Sequence, residues 1–400
     1  MKTNIFEENY KKLNQKQKEA CDSIYWPVMV IAWPWTWKTQ IIAIRTANIL
    51  IKTDTPAENI FITTFTEAWV IAIKERLIKF IWKEAYKVNI STIHSFSSDV
   101  IKTFPEKFIE YKASTSIDDV EQLEIIKNLL NELINEKEIN ELTNDYDKFL
   151  YLRDIKSRIS QLKQEWISIS RFNQIIKEQE LSYETELSEI KPSLKKYETT
   201  KNKQETHINK LKELVIIWWE YNKYLRENSF YDFNDMINFV LEKFRLDEDL
   251  RLHYAEKFQF IMLDEFQDTN NAQNEIIDLI LNANQLENSE TSASSNIMVV
   301  WDDDQSIYRF QWANIENMLD FSTKYKDTKF VVLQNNYRST QNILDISKRL
   351  IENNNSRLSK KIDSINKNLV SSWKYKTQDI SANLYIAKND IDEKSLSLIH

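Results

Sequence analysis

The sequence predicts an α/β protein built on a parallel, doubly wound sheet. Short apolar runs that suit buried strands recur along the chain and end in polar residues, at 27–32, 59–66, 88–96, 258–268 and 296–305. Segments with helical spacing of apolar residues separate these runs, as in KTQIIAIRTANILIK after the first of them. Strands that alternate with helices indicate a parallel sheet, whose ligands bind at the carboxyl ends of the strands.

The composition fits a soluble globular protein. The chain has 400 residues, of which 42% are hydrophobic and 28% charged, and this length allows two or three domains. Its single cysteine, Cys21, excludes an intrachain disulfide framework and suits a reducing cytoplasm. Because no apolar stretch resembles a secretory signal or a membrane span, we expect a cytoplasmic protein without membrane contact. The net charge of −8 argues against a globally basic nucleic-acid binder and leaves a local basic groove open.

Glycine is absent from the whole sequence, although average usage predicts roughly 28 glycines in a chain of this length. Twelve tryptophans are present, and many of them stand where a turn or a tight loop is expected. One interpretation is a natural protein that is poor in glycine and rich in aromatic residues. The other is that tryptophan stands at glycine positions, and it is favoured because a fold of this size needs residues suited to positive φ.

The chain divides into four predicted segments. Residues 1–105 and 226–325 are predicted to form the two parts of a first α/β domain. Residues 106–225 lie between them and are rich in Lys, Glu, Gln, Ile and Leu with amphipathic spacing, which predicts a helical insertion. Residues 326–400 open a fresh strand–helix unit, which predicts the start of a second, incomplete domain.

The segment VIAWPWTWKT at 30–39 joins a buried strand to a Lys-Thr pair at the start of a helix. In a phosphate-binding loop the lysine reaches the β- and γ-phosphates, the threonine hydroxyl holds Mg²⁺, and backbone N–H groups cradle the phosphates. A Lys-Thr pair alone more often marks a solvated helix start, but glycine at 33, 35 and 37 would complete such a loop. The residues predicted to bind the nucleotide here are Ala32, Trp33, Pro34, Trp35, Thr36, Trp37, Lys38, Thr39 and Gln40.

The segment IMLDEFQDT at 261–269 ends another apolar strand in two carboxylates. Asp264 is predicted to hold Mg²⁺ and Glu265 to activate the attacking water. Acidic strand ends are common in proteins, so this interpretation depends on the order of the motifs along the chain.

The segment VVWDDDQSIYRFQWA at 299–313 supplies a third polar strand end. Gln305 can hydrogen-bond a γ-phosphate, and Tyr308 and Phe310 offer π-faces to unstacked bases, although an aromatic pair alone more often belongs to a core. In NNYRST, Arg338 can serve in cis as an arginine finger that stabilises transition-state charge, unless it is an ordinary surface arginine.

Together these motifs resemble the N-terminal portion of a superfamily 1 DNA helicase of the UvrD/Rep/PcrA type. Further segments carry the resemblance, namely LNQKQKEAC, TTFTEAWVIAIKERL, STIHSF and YDFNDMI. The match covers most of the chain apart from the helical insertion. Two departures, Phe310 where tryptophan is frequent and Gln311 where arginine is frequent, concern the details of DNA contact.

The resemblance implies two RecA-like domains of the P-loop NTPase fold, the second incomplete, and ATP-driven 3′→5′ translocation on DNA with unwinding. ATP and Mg²⁺ are the implied cofactors, and single-stranded and duplex DNA the implied partners, with repair or replication proteins as further candidates. Gln17 and Tyr337 would hold adenine. The implied catalytic residues are Lys38, Glu265, Gln305 and Arg338; the implied Mg²⁺ ligands are Thr39 and Asp264; the implied DNA contacts are Thr64, Phe65, Thr66, His94, Ser95, Tyr308 and Phe310.

Two alternatives remain open. The chain can be a truncated or inactive fragment that binds ATP or DNA without unwinding. It can also be the helicase part of a helicase–nuclease.

The family pattern assigns glycine to many of the tryptophan positions. Trp26, Trp33, Trp35, Trp37, Trp301 and Trp312 match family glycines, and Trp69, Trp82, Trp166 and Trp373 match less closely, whereas Trp218 and Trp219 match none. We hypothesise a decoding change, because some bacteria read UGA as glycine and a common alternative code reads it as tryptophan. Independent substitutions at so many loops would not spare every catalytic residue.

Overall fold

The computed structural model describes most of the chain. The described residues are 3–33, 36–112, 114–144, 146–192, 195–283, 296–302, 304, 320–325, 327–353 and 368–372. Outside these ranges lie the predictions for Pro34, Trp35, Gln305, Tyr308, Phe310, Gln311, Trp312 and Trp373. Within them, no helix is both long and apolar enough to cross a membrane.

Helices and strands alternate along the described chain. The helices are α1 (Thr3–Lys11), α2 (Gln15–Asp22), α3 (Lys38–Lys52), α4 (Glu67–Ile81), α5 (Ile93–Thr103), α6 (Ile109–Lys112), α7 (Asp119–Asn135), α8 (Leu152–Gln164), α9 (Ile169–Ser188), α10 (Lys195–Glu227), α11 (Phe233–Leu246), α12 (Glu248–Lys257), α13 (Asn271–Asn282) and α14 (Gln341–Ile351). The strands are β1 (Val28–Ala32), β2 (Ile60–Thr63), β3 (Asn89–Ser91), β4 (Thr115–Ser116), β5 (Phe230–Tyr231), β6 (Phe260–Leu263), β7 (Ile297–Trp301), β8 (Lys329–Leu333), β9 (Asn335–Asn336) and β10 (Val370–Ser371).

Capping side chains fix where several helices begin. Asn14, Asp118 and Asp232 each form a capping box with the glutamine, glutamate or aspartate three residues later, at the starts of α2, α7 and α11. Thr66 and Thr92 accept hydrogen bonds from backbone N–H groups at the starts of α4 and α5. Since α4 and α5 directly follow strands β2 and β3, these caps set the direction in which the chain leaves the sheet.

The main sheet has six strands in the order β3–β2–β6–β7–β1–β8, and every neighbouring pair is parallel. Alternate residues of one strand belong to different cores: Val28 and Val30 pack in one, Met29 and Ile31 in the other. Helices α2, α3 and α4 cover the first face, and α5, α11, α12 and α13 cover the second. The predicted α/β class and parallel sheet are therefore confirmed.

The last strand of this sheet lies inside residues 326–400, the segment predicted to open a second domain. Strand β8 pairs in parallel with β1, with Val331 opposite Val30. Val331 and Leu333 are fully or almost fully buried in the same core as β1, so the first sheet gains its edge strand from the segment 329–333. The predicted domain limits all stay predictions.

Helices α7 to α10 pack around a core of their own, which includes Ile126, Ile159 and Ile217. Strands β4 and β5 pair in parallel, Thr115 opposite Phe230, at the two ends of this segment. The strand by which the chain leaves the sheet unit therefore lies beside the strand by which it returns. Helices α6 to α10 lie in or overlap residues 106–225, and the limits of the predicted helical insertion stay a prediction.

A buried ion pair joins the helical segment to α11 of the sheet unit. Lys163 Nζ of α8 donates to Asp232 Oδ2 at 2.6 Å and to Asp235 Oδ1 at 2.7 Å. The Tyr221 hydroxyl donates to Asp232 Oδ2 at 3.0 Å. Burial raises the pKa of Asp232, but the Lys163 ammonium outweighs burial and holds this pKa below its ordinary value.

Tryptophan stands at three of the seven described residues with positive φ, although it supplies only 12 of 400 residues. Trp37, Trp82 and Trp166 have φ of 69°, 53° and 54°. With a ψ of −117°, Trp82 occupies a region that only glycine visits without strain. These backbone angles support the hypothesis of glycine at these positions. By contrast, Trp218 and Trp219 lie inside α10.

Candidate nucleotide and DNA site

The loop between β1 and α3 turns tightly on itself. The Thr36 N–H and the Thr36 hydroxyl both donate to Trp33 O, at 3.3 and 2.8 Å. Trp37 is the N-cap residue of α3 and makes no side-chain capping bond. The first N–H groups of α3 are therefore available to an external acceptor, as they are at phosphate sites.

Lys38 and Glu265 bring two predicted catalytic groups together. Lys38 Nζ lies 2.9 Å from Glu265 Oε2, and the two side chains are only 9% and 15% exposed. Glu265 has a φ of 51°. Positive φ at a non-glycine residue stores strain of the kind found at functional sites. The Lys38–Glu265 ion pair thus brings together the loops that follow β1 and β6.

Asp264 lies in a crowded acidic environment beside Glu265. Burial and the Glu265 charge raise the pKa of Asp264 to about 7, against the opposing effects of Lys38 and Arg76. The same two causes raise the pKa of Asp268 to about 6. A divalent cation would relieve this crowding, and Mg²⁺ favours oxygen ligands from one or two side chains plus substrate phosphates. The oxygen ligands of Thr39 and Asp264 fit that chemistry, and no cluster of three or more metal-binding side chains occurs in the described ranges.

Gln17 and Tyr337 lie near the same loop. Gln17 is almost fully buried, and its Nε2 donates to Thr36 O at 3.3 Å. Asn14, which caps the same helix as Gln17, donates to the Tyr337 hydroxyl at 3.2 Å. The ring of Trp37 lies 4.9 Å from the ring of Tyr337, centroid to centroid. An indole therefore contacts the aromatic residue that was predicted to hold adenine.

Two other predicted nucleotide residues are placed less directly. The backbone N–H of Arg338 donates to Asn336 Oδ1 at 2.9 Å in the turn before α14, and the contact of its guanidinium with phosphate stays a prediction. The Gln40 side chain donates to Asn9 Oδ1 of α1 at 3.4 Å. It therefore points towards α1, and any contact of Gln40 with the nucleotide stays a prediction.

A pocket of about 360 Å³ opens beside the acidic strand end, and we call it the strand-end pocket. Its lining residues are Thr63, Thr64, Phe65, Glu67, Thr92, Ile93, His94, Ser95, Phe233, Asp264, Glu265, Thr269 and Gln273. The exposed ring of Phe233 stacks on His94 with a centroid distance of 3.7 Å and an interplanar angle of 16°. Phe65 is also exposed, so two phenylalanine rings offer π-faces to a base.

Four of the predicted DNA contacts therefore meet in one pocket: Thr64, Phe65, His94 and Ser95. Thr66 does not line it, and its hydroxyl instead accepts from Trp69 N at 3.4 Å. The buried Thr64 Oγ1 and His94 Nε2 have no hydrogen-bond partner among the described residues. Since buried polar atoms are normally paired, water or a polar ligand in the pocket could hydrogen-bond to these two atoms.

The description "UvrD/REP helicase N-terminal domain" belongs to the family model that matches residues 13–326. The chain belongs to this UvrD/REP helicase family. It is 27% identical over 351 residues to an ATP-dependent DNA helicase PcrA of Leuconostoc citreum. It is 28% identical over 358 residues to the ATP-dependent DNA helicase PcrA of Staphylococcus aureus strain Mu50. These alignments cover 88% and 89% of this chain.

The same alignments cover 40% and 42% of the two relatives. The chain thus spans about two fifths of their length. Family membership confirms the resemblance that the motifs carried.

The structure of this UvrD/REP family member adds three residues that the sequence did not single out. Gln267 donates through Nε2 to Glu265 Oε2 at 2.7 Å and accepts from Asp302 N at 3.0 Å, so it connects the Glu265 carboxylate to the end of β7. Arg76 of α4 lies close enough to lower the pKa of Asp264. Phe233 lies in YDFNDMI, one of the segments that carry the family resemblance. Its ring is exposed in the structure, and the sequence alone does not show this exposure.

Proposed function

We propose that this chain is the motor portion of an ATP-dependent DNA helicase. It would couple ATP hydrolysis to 3′→5′ movement on single-stranded DNA and to duplex unwinding. The observation that carries this proposal is that Asp264 and Glu265 line the same pocket as Phe65 and Phe233. Residues proposed for hydrolysis and residues proposed for base stacking therefore line one pocket. Membership of the UvrD/REP family supports the proposal.

Each residue has a chemical task in this proposal. MgATP, when bound, supplies the phosphoryl group that water attacks. The Lys38 ammonium neutralises phosphate charge, and Thr39 and Asp264 hold Mg²⁺. The Glu265 carboxylate, oriented by Gln267, accepts the proton of the attacking water. Gln17 and Tyr337 hold adenine.

Further contacts complete the proposed cycle. Gln305 and Arg338 would sense the γ-phosphate, and Tyr308 and Phe310 would add base contacts to those of the strand-end pocket. Single-stranded and duplex DNA are the proposed partners in the cytoplasm, together with proteins of DNA repair or replication.

ATP hydrolysis with and without a single-stranded oligonucleotide tests the proposal in a chain that carries glycine at 33, 35 and 37. We expect hydrolysis that DNA stimulates, and its loss in Lys38→Ala, because the lysine charge contacts the transferring phosphoryl group. Glu265→Gln should keep nucleotide binding and lose hydrolysis. Near-normal turnover in Lys38→Ala would refute the nucleotide assignment.

A strand-separation assay on a duplex with a 3′ single-stranded tail separates the two functional alternatives. Unwinding would establish helicase activity in the chain itself. DNA-stimulated hydrolysis without unwinding would instead identify an ATP- and DNA-binding portion of a longer helicase.

A further inference from the structure

One corner of the strand-end pocket is formed by Glu67, Thr92 and Ser95, and we call it the acidic corner. Glu67 is the first residue of α4, and its Oε1 accepts from Ser95 Oγ at 2.7 Å and from Thr92 Oγ1 at 3.1 Å. Glu67 therefore connects the loop after β2 to the loop after β3. Both loops carry predicted DNA contacts.

Both hydroxyl hydrogens of the acidic corner already take part in hydrogen bonds within it. Each hydroxyl has one hydrogen. The Ser95 hydrogen is directed to Glu67, and the Thr92 hydrogen is directed to Glu67 or to Ser95 Oγ, which lies 3.0 Å away. The acidic corner therefore presents only lone pairs to a ligand, and a ligand must bring its own donor.

The charge of the pocket favours a neutral group over a phosphate. Three residues with carboxyl groups, Glu67, Asp264 and Glu265, line the pocket, and none of its lining residues in the described ranges is a lysine or an arginine. Burial lowers the pKa of His94 to about 4, so its imidazole is neutral at pH 7. With Phe65 and Phe233 exposed beside these groups, the pocket suits a stacked base whose phosphates stay outside.

We propose that Glu67 makes the strand-end pocket selective for a base with an exocyclic amine, so that cytosine binds in preference to thymine. This inference rests on the proposed DNA-binding function. Cytosine presents an N4 amine where thymine presents the O4 acceptor. An amine can donate to Glu67, whereas thymine in the same orientation would place O4 against the carboxylate with no hydrogen between them, because its N3–H lies one ring position away. Thr64 carries a hydroxyl that can donate or accept, so it does not discriminate.

The matched probes are single-stranded oligonucleotides of thymidine and of 5-methyl-deoxycytidine, since these bases have the same size and the same methyl group. Fluorescence anisotropy would measure the affinity of the chain for each. We expect the 5-methyl-deoxycytidine strand to bind about tenfold more tightly, because an unsatisfied polar contact weakens binding on that order. In Glu67→Gln the preference should fall close to one, since the amide N–H can donate to O4.

Glu75→Gln is the control, since it removes the same charge from an exposed residue of the same helix, and it should keep the preference. Equal affinities in the unaltered chain, or an unchanged preference in Glu67→Gln, would overturn the inference about Glu67. Binding of neither strand would overturn the proposed DNA interaction itself, and the inference with it.

Discussion

Asp264 is a carboxyl group at a position where ionisation is costly. It is 3% exposed at the end of β6, and burial and the Glu265 charge raise its pKa from 3.8 to about 7. The folded protein therefore holds this proton more tightly than the unfolded chain does. Stability from this group is complete below about pH 4 and falls as the pH rises to about 7.

Replacing Asp264 by asparagine should remove this pH dependence. We expect Asp264→Asn to be more stable than the unaltered chain at pH 8, by an amount on the order of a few kcal/mol, because no buried charge then forms. Near pH 4 the two should be equally stable. Urea denaturation at both pH values measures the difference, and the exposed Asp249→Asn on α12 serves as the control. Equal stability at pH 8 would contradict the prediction.

The positions of site residues were predictable where a motif fixes both the residue type and its place at a strand end. Lys38 and Glu265 are separated by 227 positions, yet they meet because both follow strands of one parallel sheet. Gln267 and Phe233 escaped prediction for a physical reason. Their roles depend on which side chains pack beside them, and the pattern along one segment does not contain that information.

At the scale of elements, the pattern of apolar residues located the strands along the chain but did not give their order in the sheet. The apolar run KFVVL predicts a strand in any sheet, and only its pairing with β1 assigns β8 to the first one. The cap of α4 shows a similar limit. The hydroxyl of Thr66 accepts from Trp69 N, because a threonine before a helix satisfies the free N–H groups of the first turn, and its contact with DNA stays a prediction.

Glycine at position 82 should relieve backbone strain at the end of α4. Trp82 has a φ of 53° and a ψ of −117°, so Trp82→Gly should raise the free energy of unfolding by about 1–3 kcal/mol. The control is Trp219→Gly inside α10, where glycine should lower it by about 1 kcal/mol. Denaturation curves measure both changes. A loss of stability in both variants would argue against glycine as the natural residue at position 82.

The phosphate loop should bind nucleotide only with glycine. Trp37 holds positive φ at the start of α3, and its indole contacts Tyr337. We expect no productive ATP binding by the unaltered chain. Trp33→Gly, Trp35→Gly and Trp37→Gly together should restore it, whereas Trp219→Gly should not. Calorimetry measures the affinity, and tight Mg²⁺-dependent binding by the unaltered chain would refute the hypothesis of a decoding change.

At the scale of the whole molecule, a buried ion pair joins the helical segment to the sheet unit. Neither the cation nor the carboxylates could be buried without the opposite charge. Lys163 of α8 is 5% exposed and pairs with two carboxylates of the α11 capping box, Asp232 and Asp235. Asp232 directly precedes Phe233, which lines the strand-end pocket. The orientation of the helical segment is thereby linked to the residues proposed to bind DNA.

Lys163→Met should therefore destabilise the protein and weaken its DNA binding together. Removing one partner of a buried ion pair costs about 3–5 kcal/mol, because the remaining carboxylates stay buried without compensation. Lys156→Met, on the same helix, breaks the ion pair with the exposed Asp119 and should change stability by no more than about 1 kcal/mol.

Adding Asp235→Asn to Lys163→Met should recover part of the lost stability, since it removes one of the two uncompensated charges. If Lys163→Met behaved like Lys156→Met in urea denaturation and in oligonucleotide binding, the buried ion pair would not be the joint between the two units.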